Sequence, residues 1–156
     1  MEIGILIGSF VGMRTNSKLR KVKEESDFQS FHIHCGTFDF GFNVILSTDK
    51  ERCATFVNDK LETERFSVLD FDCLGKVFFK GGYCPVLWLP SYPLSHKEIG
   101  TLNHELLHIV FEVTNWAGIS LSPSSEEVFT HLMKYVTTQF YEKAKQPVTS
   151  KIRKRK

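Results

Sequence analysis

A chain of 156 residues with 42% hydrophobic and 24% charged content suits one globular domain and excludes a wholly disordered or collagen-like polymer. No apolar run approaches the ~18–20 residues of a membrane-spanning helix, so no membrane partner is expected. The net charge of +2 conceals an asymmetry: residues 143–156 hold seven bases and no acid, leaving 13 bases against all 18 acids and a net −5 elsewhere. The basic balance therefore belongs to the tail and not to a nucleic-acid-binding face.

The opening Met1-Glu2-Ile3-Gly4-Ile5-Leu6-Ile7-Gly8 is apolar but carries an acid where a secretory signal has Lys or Arg. A soluble, cytoplasmic protein is expected. Residues 1–12 read as a short strand, followed by a basic connector from Arg14 to Gln29. Phe31-His32-Ile33-His34-Cys35 alternates as a half-exposed strand does, and residues 37–46 alternate before becoming fully apolar. Ser47-Thr48-Asp49 offers an N-cap, with Cys53, Phe56, Val57 and Leu61 at helical spacing behind it, so residues 49–62 read as an amphipathic helix.

Lys76–Lys80 and Cys84–Pro90 read as two extended runs joined through a Gly81-Gly82 turn. Pro85 and Pro90 bracket the second run and favour an edge position, because proline donates nothing to a ladder. An exposed edge over 84–89 would receive a peptide or protein partner by strand addition. From Ser95 the period changes. Ser95 with Glu98 makes a capping box, and Ile99, Leu102, Leu106, Leu107, Ile109, Val110 and Val113 carry a helix to Trp116. These positions cover most of the circumference, which predicts a buried helix. Gly118 and Pro123 mark a loop. Ser124 or Ser125 then caps a second helix with the stripe Val128, Phe129, Leu132, Met133, Val136 and Phe140, ending at 144–146. Residues 1–146 form the expected domain, and 147–156 an expected disordered basic tail.

Four cysteines stand 18, 20 and 11 residues apart with no CxxC pair, so reduced and mostly buried thiols are expected. The chemistry lies elsewhere. His104-Glu105-Leu106-Leu107-His108 is an HExxH motif inside the first of the two long helices. Composition alone would place such a motif in about 2% of shuffled chains. Residues i and i+4 project from one helical face, so His104 and His108 can converge on one Zn²⁺, with Glu105 beside the position of an activated water as general base. A catalytic zinc takes a third protein ligand, and Glu126 and Glu127 open the next helix, 18 and 19 residues after His108. Glu127 is preferred over Glu126, because His131 and Thr130 continue a polar strip from it. A His, His, Glu set with one open position is the gluzincin arrangement. Against this, acids in a first turn also complement the helix dipole. His131 and Tyr135 are accessory candidates for transition-state hydrogen bonding. His32 and His34 share a strand face but read as polar surface, and His96 as solvated.

The segments Leu102-Asn103-His104-Glu105-Leu106-Leu107-His108-Ile109-Val110-Phe111 and Ser125-Glu126-Glu127-Val128-Phe129-Thr130-His131-Leu132 resemble a group of small zincin-like proteins of tailed bacteriophages and prophages, assigned as metallopeptidases. In that group the HExxH helix is followed by a loop and a helix opening with an acid, a small residue and an aromatic. Glu127 and Phe129 match the acid and the aromatic, while Val128 is larger than usual. The strand Val86–Leu89 also resembles the group, and the likeness covers residues 76–140. It implies a zincin-like fold, a bound zinc and, for a phage protein, the host cytoplasm or the virion. The fold expected is α+β, a small mixed or antiparallel sheet along the HExxH helix, closed by a second C-terminal helix. The function expected is a zinc-dependent metallopeptidase or amide hydrolase. The rival is a zinc-stabilised, non-catalytic protein-binding or virion-associated module. A third reading gives nucleic-acid binding to the tail alone.

Overall fold

The computed structural model describes residues 28–146, so the expected strand at 1–12, the connector before Phe28 and the tail lie outside the described residues. Within that span the protein is a mixed α+β fold. Four strands, β1 (Gln29–His34), β2 (Gly41–Leu46), β3 (Lys76–Phe78) and β4 (Val86–Leu89), form one sheet in the order β1-β2-β4-β3. Three helices accompany it: α1 (Lys50–Lys60), α2 (His96–Trp116) and α3 (Glu126–Lys143).

Strand alternation divides the apolar residues into two cores. Phe42, Val44, Leu46, Leu87 and Leu89 face α2 and α3, whereas Ile45, Val86 and Trp88 face α1 and the short turn Val68–Phe71. The sheet is thus a middle layer covered on both faces, which is why β4 is apolar at every position.

The two hairpins are local. β1 and β2 pair antiparallel from Gln29↔Leu46 to His34↔Gly41, around a turn in which Gly36–Phe38 is a 3-10 segment and Asp39 takes a left-handed backbone. The alternation at 37–40 therefore does not extend the strand. β3 and β4 pair antiparallel from Lys76↔Trp88 to Phe78↔Val86, through a longer turn than Gly81-Gly82 alone. The hairpins are joined by a parallel ladder between β2 and β4, Asn43↔Val86 to Leu46↔Leu89.

That ladder corrects the edge assignment. Residues 84–89 do not offer an open edge, because β4 is paired on both sides; the edges are β1 and β3. Pro85 and Pro90 flank β4 rather than interrupt it, so neither removes a ladder donor, and Pro85 even accepts a bond from the Asn43 amide at 2.8 Å.

Helix starts follow their sequence signals. The Asp49 carboxylate accepts the Arg52 amide at 3.1 Å and opens α1. At α2 the Ser95 hydroxyl accepts the Glu98 amide at 3.2 Å, and the Glu98 carboxylate accepts the Ser95 amide at 2.8 Å. Those bonds, first from the Ser95 backbone, then its hydroxyl, then the Leu94 amide, hold the Glu98 carboxyl below its ordinary range. Ser95→Ala should therefore lower unfolding stability by about 1 kcal/mol in urea melts, with an unchanged m-value. α3 begins differently. Ser125 occupies the cap position, but its hydroxyl accepts the Ser122 amide at 2.9 Å within the loop and caps nothing.

α2 buries Leu102, Leu106, Ile109, Val110 and Val113 against the sheet and α3, each contributing about 1.5–3 kcal/mol. It is not buried all round: Leu107 and Phe111 are 42% and 41% exposed. Gly118, at φ 71°, supplies the left-handed residue that ends the helix. Among the described residues no helix is long and apolar enough to cross a membrane.

The cysteines divide evenly. Cys35 and Cys53 are buried, and Cys73 and Cys84 are exposed, all four as free thiols. Burial, with a smaller push from nearby Cys84, drives the Cys35 thiol up to about 12, so it stays protonated at neutral pH.

Candidate metal centre

α2 brings the two motif histidines together on its exposed face. His104 Nε2 and His108 Nε2 lie 3.2 Å apart, with ring planes at 88°. Two imidazole nitrogens on one tetrahedral zinc at about 2.0–2.1 Å stand about 3.3 Å apart, so the pair fits a shared ion with little adjustment. The same approach is within hydrogen-bond distance between the rings.

Glu105 stands about 100° round the helix from His104. It is only 9% exposed and turns toward the start of β3, where its Cγ lies 3.4 Å from the position that a Cβ on Gly75 would take. No fully buried side-chain polar atom among the described residues lacks a partner, and the Glu105 carboxylate, which has no hydrogen-bond partner among them, reaches solvent.

Gly75 is what allows this approach. A Cβ there would stand 2.7 Å from Leu89 Cδ2 and 2.9 Å from Thr101 Cγ2. Leu89 is 3% exposed and has little room to withdraw. Gly75→Ala is expected to cost about 1–3 kcal/mol in chemical denaturation by overpacking the contact between β3 and α2.

The proposed third ligand is not drawn to the histidines. Glu127 Oε1 lies 2.9 Å from His131 Nε2, one turn along α3, and the two side chains are 82% and 70% exposed. Among the described residues no three of His, Cys, Asp and Glu group closely enough to hold a metal ion. Glu127, His131 and Tyr135 instead border a cavity of about 460 Å³ with Cys35, Phe38, Val128 and Leu132. His32 and His34 are exposed on β1, and His32 Nδ1 sits 3.3 Å from Asn43 Oδ1.

The two acids of α3 differ in direction. At about 100° per residue, Glu126 falls about 60° from Phe129 around the helix and Glu127 about 160°. Phe129 is buried and stacks on Phe111 of α2, with ring centroids 5.5 Å apart. Glu126 is therefore on the side of α3 that meets the histidine helix, and Glu127 on the side that leaves it.

A second cavity, of about 510 Å³, adjoins His108 itself. Its walls include Phe79, just after β3, Phe111 and Glu112 of α2, Ile119 and Leu121 of the loop after α2, and Phe129 of α3. The HExxH motif does not announce these residues. Their signal is the excess of apolar residues round α2, in which Leu107 and Phe111 share a face with His104 and His108 and so border the site instead of the core.

Comparison with protein-family models, curated proteins and solved structures gave no match.

Proposed function

We propose that this protein is a zinc-dependent hydrolase of peptide or other amide bonds, working at the exposed face of α2. The observation that carries the proposal is the 3.2 Å approach of His104 Nε2 to His108 Nε2 within an HExxH helix. Those two imidazoles would hold the ion, with an acid from the start of α3 as the third protein ligand. A zinc bound there supplies Lewis acidity toward the substrate carbonyl and lowers the pKa of water toward 7.

The chain's own part is proton handling and positioning. Glu105 takes the proton of the attacking water on a carboxylate oxygen as the new C–O bond forms, and returns it to the leaving amide nitrogen as the scissile C–N bond then breaks. Its stem lies beside Gly75. Glu126 and Glu127 are both candidates for the third ligand. The direction of Phe129 supports Glu126, and the match of Glu127-Val128-Phe129 to the phage group supports Glu127.

Metal analysis of the purified full chain tests the proposal. Wild type should carry close to one zinc per chain after dialysis. His104→Ala and His108→Ala should each retain under a tenth of that, and one of Glu126→Ala and Glu127→Ala should weaken zinc affinity at least tenfold while the other leaves it unchanged. Equal zinc in wild type and His104→Ala would remove the site. A second reading, a non-catalytic protein-binding module, is favoured by the apolar surface around the pair, where Leu121 is 58% exposed. It predicts zinc without turnover.

A further inference from the structure

We infer that the cavity beside His108 selects the substrate of the proposed hydrolase, accepting a peptide segment with a bulky apolar side chain next to a cationic one; the inference rests on the hydrolase reading for turnover but not for binding. The cavity of about 510 Å³ falls within the size of small-ligand pockets, about 300–1,000 Å³, and greatly exceeds a methyl group. Three aromatic rings, Phe79, Phe111 and Phe129, and the aliphatic Ile119 and Leu121 form the apolar part of its walls, and Thr114, Asn115 and Ser120 join Glu112 in a polar part of similar extent. They come from the end of β3, α2, the loop and α3, so the pocket exists only where all four meet. His108 belongs to the same wall, which places an inserted side chain within a residue or two of the proposed reacting bond.

Charge supplies the second half of the specificity. From Glu98 to Met133 the chain carries five acids, Glu98, Glu105, Glu112, Glu126 and Glu127, and no Lys or Arg. Glu112 lines the cavity and is exposed at its rim. A Lys or Arg beside the apolar residue meets that carboxylate, the one acid among the lining residues, whereas an acidic neighbour meets a charge of its own sign. Exclusion of an apolar side chain from water drives the insertion, and the rim charge orders the direction of the peptide.

Binding of labelled ten-residue peptides to the full-length Glu105→Gln chain, with zinc and after its removal by a chelator, tests this. A peptide with a central Phe-Lys should bind about ten- to a hundredfold more tightly than its Ala-Lys counterpart, and more tightly than Phe-Glu by about two- to fivefold at low salt. Leu121→Asp, at an exposed wall position, should abolish the preference for Phe, and Glu112→Gln should abolish the preference for Lys. Equal affinity for Phe-Lys and Ala-Lys, no binding of any peptide, or a Phe preference that survives Leu121→Asp would each overturn the inference. The preference must persist in the chelated protein, because the apolar walls do not depend on the ion. A chain that shows it but takes up no zinc would defeat the hydrolase reading and leave the pocket standing.

Discussion

A zinc-loaded chain carrying Glu105→Gln is expected to keep its metal and to lose about 10²–10⁴-fold in hydrolytic rate. The amide matches the carboxylate in shape, so the packing beside Gly75 and Thr101 is undisturbed. What it lacks is the ability to accept a proton. Because the carboxylate tip has no hydrogen-bond partner among the described residues, its replacement breaks none of their bonds, and stability should change by less than about 0.5 kcal/mol. The measurement is turnover of a quenched fluorescent peptide alongside zinc content, wild type against variant. His104→Ala should lose both quantities together, which separates a proton carrier from a metal ligand. Turnover by Glu105→Gln at the wild-type rate would exclude Glu105 from the chemistry, and turnover by zinc-free chain would exclude the metal.

The second large effect is structural. Trp88→Ala should destabilise the domain by about 3–5 kcal/mol, enough to leave a typical domain near its unfolding threshold at 37 °C. Trp88 is 1% exposed at the centre of the smaller core, opposite Lys76 on one side and Ile45 on the other. Its indole N–H donates to the Ser47 carbonyl at 2.9 Å, and Phe71 meets its ring edge-on at 5.0 Å. The truncation thus opens a cavity and leaves a buried carbonyl with one partner fewer, since the Cys53 thiol approaches the same oxygen at only 3.9 Å. Urea melts by circular dichroism would show the loss as a lower midpoint. A shift under 1 kcal/mol would mean that this core collapses around the gap.

Local chemistry was legible in the chain, and long-range pairing was not. The Ser95–Glu98 box, the Asp49 cap, the hairpin at 76–89 and the helices to Trp116 and Lys143 each depend on residues within a few positions of one another. Strand order depends on the meeting of Asn43 with Val86, which no local signal announces. Without it, two prolines flanking an apolar run look like an edge. The mixed character of the sheet was anticipated only as one of two alternatives.

The site divides along the same line. An i, i+4 spacing was enough to bring His104 to His108, because both stand on one helix. The same spacing also brings Glu127 to His131 within α3, on the side of that helix that leaves the histidine pair. In the sequence that polar strip looks like the border of a site, and nothing in it marks which side of α3 meets α2. The exposure of Leu107 and Phe111 was hidden for a related reason: an apolar residue gives no sign of whether its neighbour is a core or an open pocket.

The parallel ladder between β2 and β4 also bears on the order of assembly. Each hairpin closes a short loop, but their union requires a 43-residue excursion, from Asn43 to Val86, to return on itself. Such closure costs entropy before any ladder bond or burial of Trp88 offsets it, and it belongs with the slow events of folding. The cavity beside His108 takes its walls from residues between Phe79 and Phe129 and none from β1 or β2, so it can take shape without waiting for that closure.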